Sequence, residues 1–111
     1  MLDNNQNIID SRDLIEFIED NRNELPADEL QPYLDFAEEF EDYAEDYHYG
    51  AIAIRYDHFA EYARELVYDV GCIPDNLPGW IESNIDWAGV ADDLEHDYSG
   101  IEFDGTLYLV R

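Results

Sequence analysis

Apolar residues recur at helical spacing in four stretches of this chain, and carboxylates fill most of the positions between them. In the first stretch Leu14, Phe17 and Ile18 share a face. Asp10 or Ser11 can cap this helix, which is predicted to run to about Asn23. The preceding MLDNNQNI is polar and reads as a weakly held N-terminus. NELPAD, around Pro26, ends the first helix. A second begins between Asp28 and Pro32, because proline is tolerated in a first turn. It is predicted to reach about Asp46. Phe36, Phe40, Tyr43 and Tyr47 follow a 4-3-4 spacing, which at about 100° per residue keeps them in one narrow stripe. Glu38, Glu39, Glu41, Asp42, Glu45 and Asp46 fall opposite that stripe.

GAIAIRY, Gly50 to Tyr56, has the β-branched alternation of a short strand. Asp57 can cap a third helix that runs to Val70 and stops at Gly71, with Phe59, Ala63, Leu66 and Val70 inward. Outside it Glu61, Glu65 and Asp69 form an i, i+4, i+8 ladder. Like charges at that spacing destabilise a helix slightly. CIPDNLPGW is a proline-punctuated loop, followed by one tight turn of helix. Asp86 then caps IDWAGVADDLEHDY, with Trp87, Val90, Ala91, Leu94 and Tyr98 inward and Asp92, Asp93, Glu95 and Asp97 outside. Asp104-Gly105 between two alternating strands predicts a closing hairpin. The pattern as a whole predicts an α+β fold, with acidic amphipathic helices packed on a short antiparallel sheet that ends in a C-terminal β-hairpin. Residues 1–35 form an N-terminal helical segment and 36–111 an α+β region, and no linker separates them, so one continuous unit is expected.

Charge changes this picture. The 111 residues carry 29 acids against 5 basic residues, all of them arginine, for a net charge of −24. With 46% hydrophobic and 14% aromatic residues the chain can still build a core, which argues against disorder. A compact chain of this length should span about 35–40 Å. At about 1.7 Å per charge, the same 24 charges occupy about 41 Å of duplex DNA. A protein as negative per unit length as DNA is therefore expected. Such a surface repels nucleic acid and anionic membranes and attracts basic clefts, at the cost of self-repulsion.

Chemistry at a site finds little support. No nucleophile elbow, phosphate-binding loop, dinucleotide fingerprint or HExxH segment occurs. With so many carboxylates, a pair at glycosidase distance would arise by chance. Cys72, His48, His58 and His96 lack zinc spacing, and the acids of ADDLEHDY sit on a helix rather than on a calcium-wrapping loop. No catalytic residue, metal or cofactor is expected. Tyrosine outnumbers phenylalanine 9 to 5, which suits a thin domain whose rings are buried while their hydroxyls reach water. The single cysteine excludes an internal disulfide and fits a reducing compartment. No apolar run approaches the ~20 residues of a membrane span, and no signal-peptide core follows Met1, so a cytoplasmic protein is expected. A solvated charge run usually mixes lysine with glutamate, whereas here the acid is uncompensated. A halophilic protein, acidic all round, and a loose metal binder are the alternatives to a surface built for a basic partner.

The order of these motifs resembles a known family. An aromatic-glycine strand (YHYGAIAIRY) leads to a Phe-Ala helix ending in Asp-Val-Gly (FAEYARELVYDVG), then a Leu-Pro loop (DNLPGW) and an Ile-Asp-aromatic cap (IDW). A helix ending in Asp-Tyr (ADDLEHDY) and a hairpin with a terminal aromatic and arginine complete the series. This region, roughly Phe36 to Arg111, resembles the C-terminal part of ArdA-type antirestriction proteins. The resemblance implies an elongated homodimer from a phage or mobile element that mimics the shape and charge of B-DNA. Such a protein occupies the DNA-binding groove of a type I restriction-modification enzyme in the bacterial host and binds no nucleic acid itself. The family usually has three small domains, and this chain has room for about two, so a different target, such as a CRISPR effector, stays open. Under this reading Glu38, Glu39, Glu41, Asp42, Glu45, Asp46, Glu61, Glu65, Asp69, Asp92, Asp93, Glu95 and Asp97 stand in for phosphates. The hairpin edge with Tyr108 and Val110 and the loop with Leu77 and Trp80 are the expected dimer contacts.

Overall fold

Strand β1 (Ile8–Asp10) meets helix α1 (Ser11–Asn21) at Asp10, whose carboxylate accepts the Arg12 backbone N–H at 2.9 Å and caps the helix. The computed structural model describes residues 2–74 and 76–111; Asp75, the first residue of the Leu-Pro loop, lies outside them. Helix α2 (Ala27–Tyr43) and strand β2 (Ile52–Arg55) follow. A single 3₁₀ turn (Tyr56–His58) then leads into α3 (Phe59–Asp69), short α4 (Gly79–Glu82), α5 (Trp87–Glu95), β3 (Ser99–Phe103) and β4 (Thr106–Val110). The four strands form one antiparallel sheet in the order β1-β2-β4-β3. The expected α+β fold of helices on a short antiparallel sheet with a C-terminal hairpin is the fold observed.

Alternation along the strands divides the sheet into two faces. Ile9, Ala53, Ile101, Phe103, Tyr108 and Val110 join Leu14, Ile18, Phe36 and Phe40 in the larger core, under α1 and α2. Ile54 and Leu109 point the other way and join Phe59, Ala63 and Ala91, under α3 and α5. The helices therefore cover both sides of the sheet.

The N-terminal segment is not weakly held. Leu2 is buried, β1 pairs with β2, and the Tyr108 hydroxyl donates to the Gln6 carbonyl. Ser11 extends the ladder: its N–H donates to the Ala51 carbonyl and its Oγ accepts the Ala51 N–H, both at 2.8 Å. Three apolar residues among polar ones carry too little periodicity to predict a strand, and the pairing exists only because β2 supplies the partner edge.

Helix α2 is shorter than predicted. It stops at Tyr43, with Ala44 in extended conformation, and the chain turns so that Ala44 and Tyr47 enter the core. Tyr47 packs edge-on against Phe40 at 5.2 Å, while Tyr43, expected in the stripe, is 55% exposed. Gly50 closes this turn at φ 121°, and a Cβ there would stand 2.9 Å from Arg12 Nε.

Two further departures concern α3 and the hairpin. Asp57 lies in the 3₁₀ turn and caps nothing; α3 starts after it, with His58 as its N-cap residue. The end is as expected. Gly71, at φ 76°, donates to the Tyr68 carbonyl and Cys72 donates to Val67, a Schellman closure. Burial falls along the helix, from Phe59 and Ala63 inside to Val70 at 62% exposed, so α3 leaves the core as it proceeds. At the hairpin Asp104 (φ 49°) and Gly105 (φ 84°) form the two-residue turn. Tyr108 and Val110, however, are fully buried, and β4 is an interior strand with β3 at the edge, so neither side chain can be dimer surface.

The molecule measures 54 × 25 × 24 Å with a radius of gyration of 16.3 Å, against roughly 13 Å for a compact chain of this length. The expected span of about 35–40 Å was too short, because it assumed a compact chain and this one is elongated, 54 Å along its long axis against 25 and 24 Å across.

Candidate functional site

Twelve of the thirteen expected phosphate-mimicking carboxylates are exposed, and Glu95 is half-buried. Their compensation is sparse. The arginine pairs found are Arg12 with Asp10 at 2.8 Å, Arg55 with Asp57 at 3.7 Å and Arg64 with Glu82. Arg64 shares a helix with Glu61 and Glu65 but turns instead to Glu82, with its guanidinium carbon 5.7 Å from the centre of the Trp87 ring. Among the described residues no arginine side-chain nitrogen lies within 4 Å of a carboxylate oxygen of any of the thirteen. Two of them meet histidine: Glu41 with His48 at 3.4 Å and Glu61 with His58 at 3.2 Å.

On α2 the helical rotation sorts the acids. Glu38 and Asp42 are opposite Phe36 and Phe40, in solvent. Glu39 is at the flank, where its Oε2 accepts the Glu102 backbone N–H of edge strand β3 at 3.2 Å. Glu41, on the other flank, meets His48 in the following turn. Glu45 and Asp46 are not on the helix at all; they belong to the turn after Tyr43 and line a cleft with Tyr43, Tyr62, Tyr98 and Arg111. Glu61, Glu65 and Asp69 keep their ladder along the exposed side of α3. On α5 Asp92 and Glu95 line a second cleft with His96, Leu107 and Leu109. Asp93 and Asp97 are exposed outside that cleft. The expected carboxylates thus lie on two helical layers on opposite sides of the sheet, and parts of the set open onto different clefts.

The structure also adds acid that the expected set omitted. Asp13, Glu16, Glu19 and Asp20 are exposed on α1, and Asp28, Glu29 and Asp35 on the first half of α2. The expected set began at Phe36 because the family resemblance begins there. Yet α1 shows the same pattern of acid outside and Leu14, Ile18 inside, and periodicity alone could have found it.

The surrounding field reaches the tyrosines. Burial pushes the Tyr47 hydroxyl pKa up, and the Glu41 charge adds to the shift. Tyr33 is raised by burial and then by Asp3 and Asp104. Tyr62 is pushed up to about 12 by burial and then by its neighbour Tyr98. Asp10 moves the other way, because its hydrogen bond to the Arg12 guanidinium holds it below the usual carboxylate range. Among the described residues no three His, Cys, Asp or Glu side chains converge on a point that could hold a metal ion, and no helix is long and apolar enough to cross a membrane. Comparison with protein-family models, with curated proteins and with solved structures returned no match. Any kinship to the ArdA type therefore rests on the order of the motifs.

Proposed function

We propose that this protein is a stoichiometric inhibitor that mimics DNA and fills the DNA-binding groove of a bacterial defence enzyme, a type I restriction-modification enzyme in the first instance. The observation that carries this reading is acid without arginine partners on the exposed sides of α2, α3 and α5, displayed on a narrow rod. The 54 Å length shared among 24 net charges gives about 2.3 Å per charge, close to but sparser than the roughly 1.7 Å of duplex DNA. At about 3.4 Å per step the rod covers roughly 16 base pairs. The expectation of equal charge density came from too short a span. The mechanism is electrostatic competition: the carboxylates meet the lysines and arginines that otherwise grip phosphates, so no chemical step and no cofactor is involved. A homodimer would double the mimicked length. Of the expected dimer contacts, half-buried Leu77 in the loop before α4 and Trp80 on α4, 73% exposed, are the ones left once Tyr108 and Val110 are assigned to the core.

The test is inhibition of duplex binding by a purified type I enzyme. One protein per groove should block binding, and its affinity should fall by about 10³-fold or more between 50 and 200 mM salt if six or more basic groups are engaged. An affinity indifferent to salt, or failure to displace duplex, would remove the mimicry reading.

A further inference from the structure

A pocket of about 330 Å³ lies where the N-terminal turn, the α1–α2 connection and the hairpin turn meet. Leu25, Tyr33 and Phe103 contribute apolar surface to it, and Asp3, Glu29 and Asp104 contribute carboxylates. None of those three carboxylates belongs to the expected phosphate-mimicking set, and none has a basic partner within 4 Å among the described residues. The larger cleft beside Tyr62, by contrast, already has Arg111 in its wall.

The walls are held in place before any partner arrives. The Tyr33 hydroxyl donates to the Leu2 carbonyl at 2.9 Å, and its ring packs between Phe17 and Phe103, with centroids 4.5 and 5.3 Å away. Asn4 Nδ2 donates to the Asp104 carbonyl at 3.3 Å and to Thr106 Oγ1 at 3.1 Å, tying the N-terminal turn to the hairpin. Asp3 Oδ1 accepts the Asn5 N–H at 2.9 Å. Asp3 and Asp104 both act on Tyr33, so the field inside is negative.

We infer that this pocket seats one arginine side chain of the basic partner. The argument is charge complementarity combined with shape. The aliphatic stem is buried against Leu25 and the half-buried Tyr33, and the N–H fork of the guanidinium reaches the carboxylates. Lysine can supply the charge but not the planar fork of donors. The inference rests on the DNA-mimic reading for the identity of the partner. It adds to that reading a discrete anchor, where the helices offer only distributed charge.

The experiment titrates the isotope-labelled full chain with Nα-acetyl-arginine methylamide and follows the aromatic and amide NMR signals. The expected result is saturable shifts at Tyr33 and Phe103, absent with the uncharged citrulline analogue and at least about threefold weaker with the lysine analogue. The variant D3N/E29Q/D104N should lower the arginine affinity about fivefold or more with the rest of the spectrum unchanged. Asparagine keeps the Asp3 acceptor and tolerates the positive φ at 104. Equal response to arginine and lysine, or shifts spread evenly over the acidic helices, would overturn the pocket. In the duplex-competition assay this variant should lose about tenfold more affinity than the control E16Q/E19Q/D20N, which removes the same number of charges. If the wild-type chain competes and the two variants behave alike, the pocket fails while mimicry stands. If the wild type does not compete, mimicry fails, and the arginine titration still decides the pocket.

Discussion

The two helical layers carry similar acid outside but are anchored differently inside. Under α1 and α2 the core is a set of large rings: Phe36 stacks on Phe103 at 4.5 Å with 6° between planes, and Phe40, Tyr47 and Tyr108 close around them. Under α3 and α5 the fully buried set is Ile54, Phe59, Ala63, Ala91 and Leu109, with Leu94 and Tyr98 only partly covered. Self-repulsion of a chain at −24 must be offset by burial, and the first layer supplies more of it. The end of α3 and the short α4 leave Val70, Trp80 and Ile81 in solvent, where a partner or a second copy can cover them.

The largest expected effect tests that contrast directly. Phe40→Ala, in the aromatic layer, should cost about 3–5 kcal/mol in urea unfolding, whereas Leu94→Ala should cost about 1–2 kcal/mol, because part of that side chain is already in water. Equal costs would mean the layers are equally anchored. The next effect is alkaline. Tyr62 has a folded pKa of about 12, above the ordinary value of 10, so its neutral form is favoured by folding. That contribution is complete below pH 10 and is lost as pH rises from 10 towards 12. Tyr62→Phe removes this loss, so the alkaline transition followed by circular dichroism should move to higher pH; an unmoved transition would show that another group opens the layer.

The smallest effect separates stability from binding. Glu65 stands four residues from both Glu61 and Asp69, so Glu65→Gln relieves two like-charge contacts. It should raise stability by roughly 0.4–1 kcal/mol in total, at about 0.2–0.5 per pair. Under the proposed mimicry the same change weakens binding to the basic groove. A variant that is less stable, or that binds as tightly as wild type, would break the idea that the ladder is maintained at the expense of the fold.

Much of the fold was legible. The Asp10 and Asp86 caps, the Gly71 stop and the Asp104-Gly105 turn are local signals that act within a few residues, and each appears where the sequence put it. The misses share a cause. β1 is a strand only because β2 offers it an edge, and α2 stops at Tyr43 because Tyr47 gains more by turning onto Phe40 than by continuing the stripe. Tyr108 and Val110 looked like hairpin surface until β2 was found on their other side.

For the acidic surface the division is similar. The sequence by itself determined the sign of the charge, its excess, the scarcity of cations to neutralise it and the helical sides that would display it, because these follow from composition and a 3.6-residue period. Only the tertiary structure decided the length of the rod and the charge spacing along it. It also sent Arg64 to Glu82 and brought Asp3, Glu29 and Asp104 around one pocket. Those depend on which distant segments pack together, and long-range packing leaves no local pattern to read.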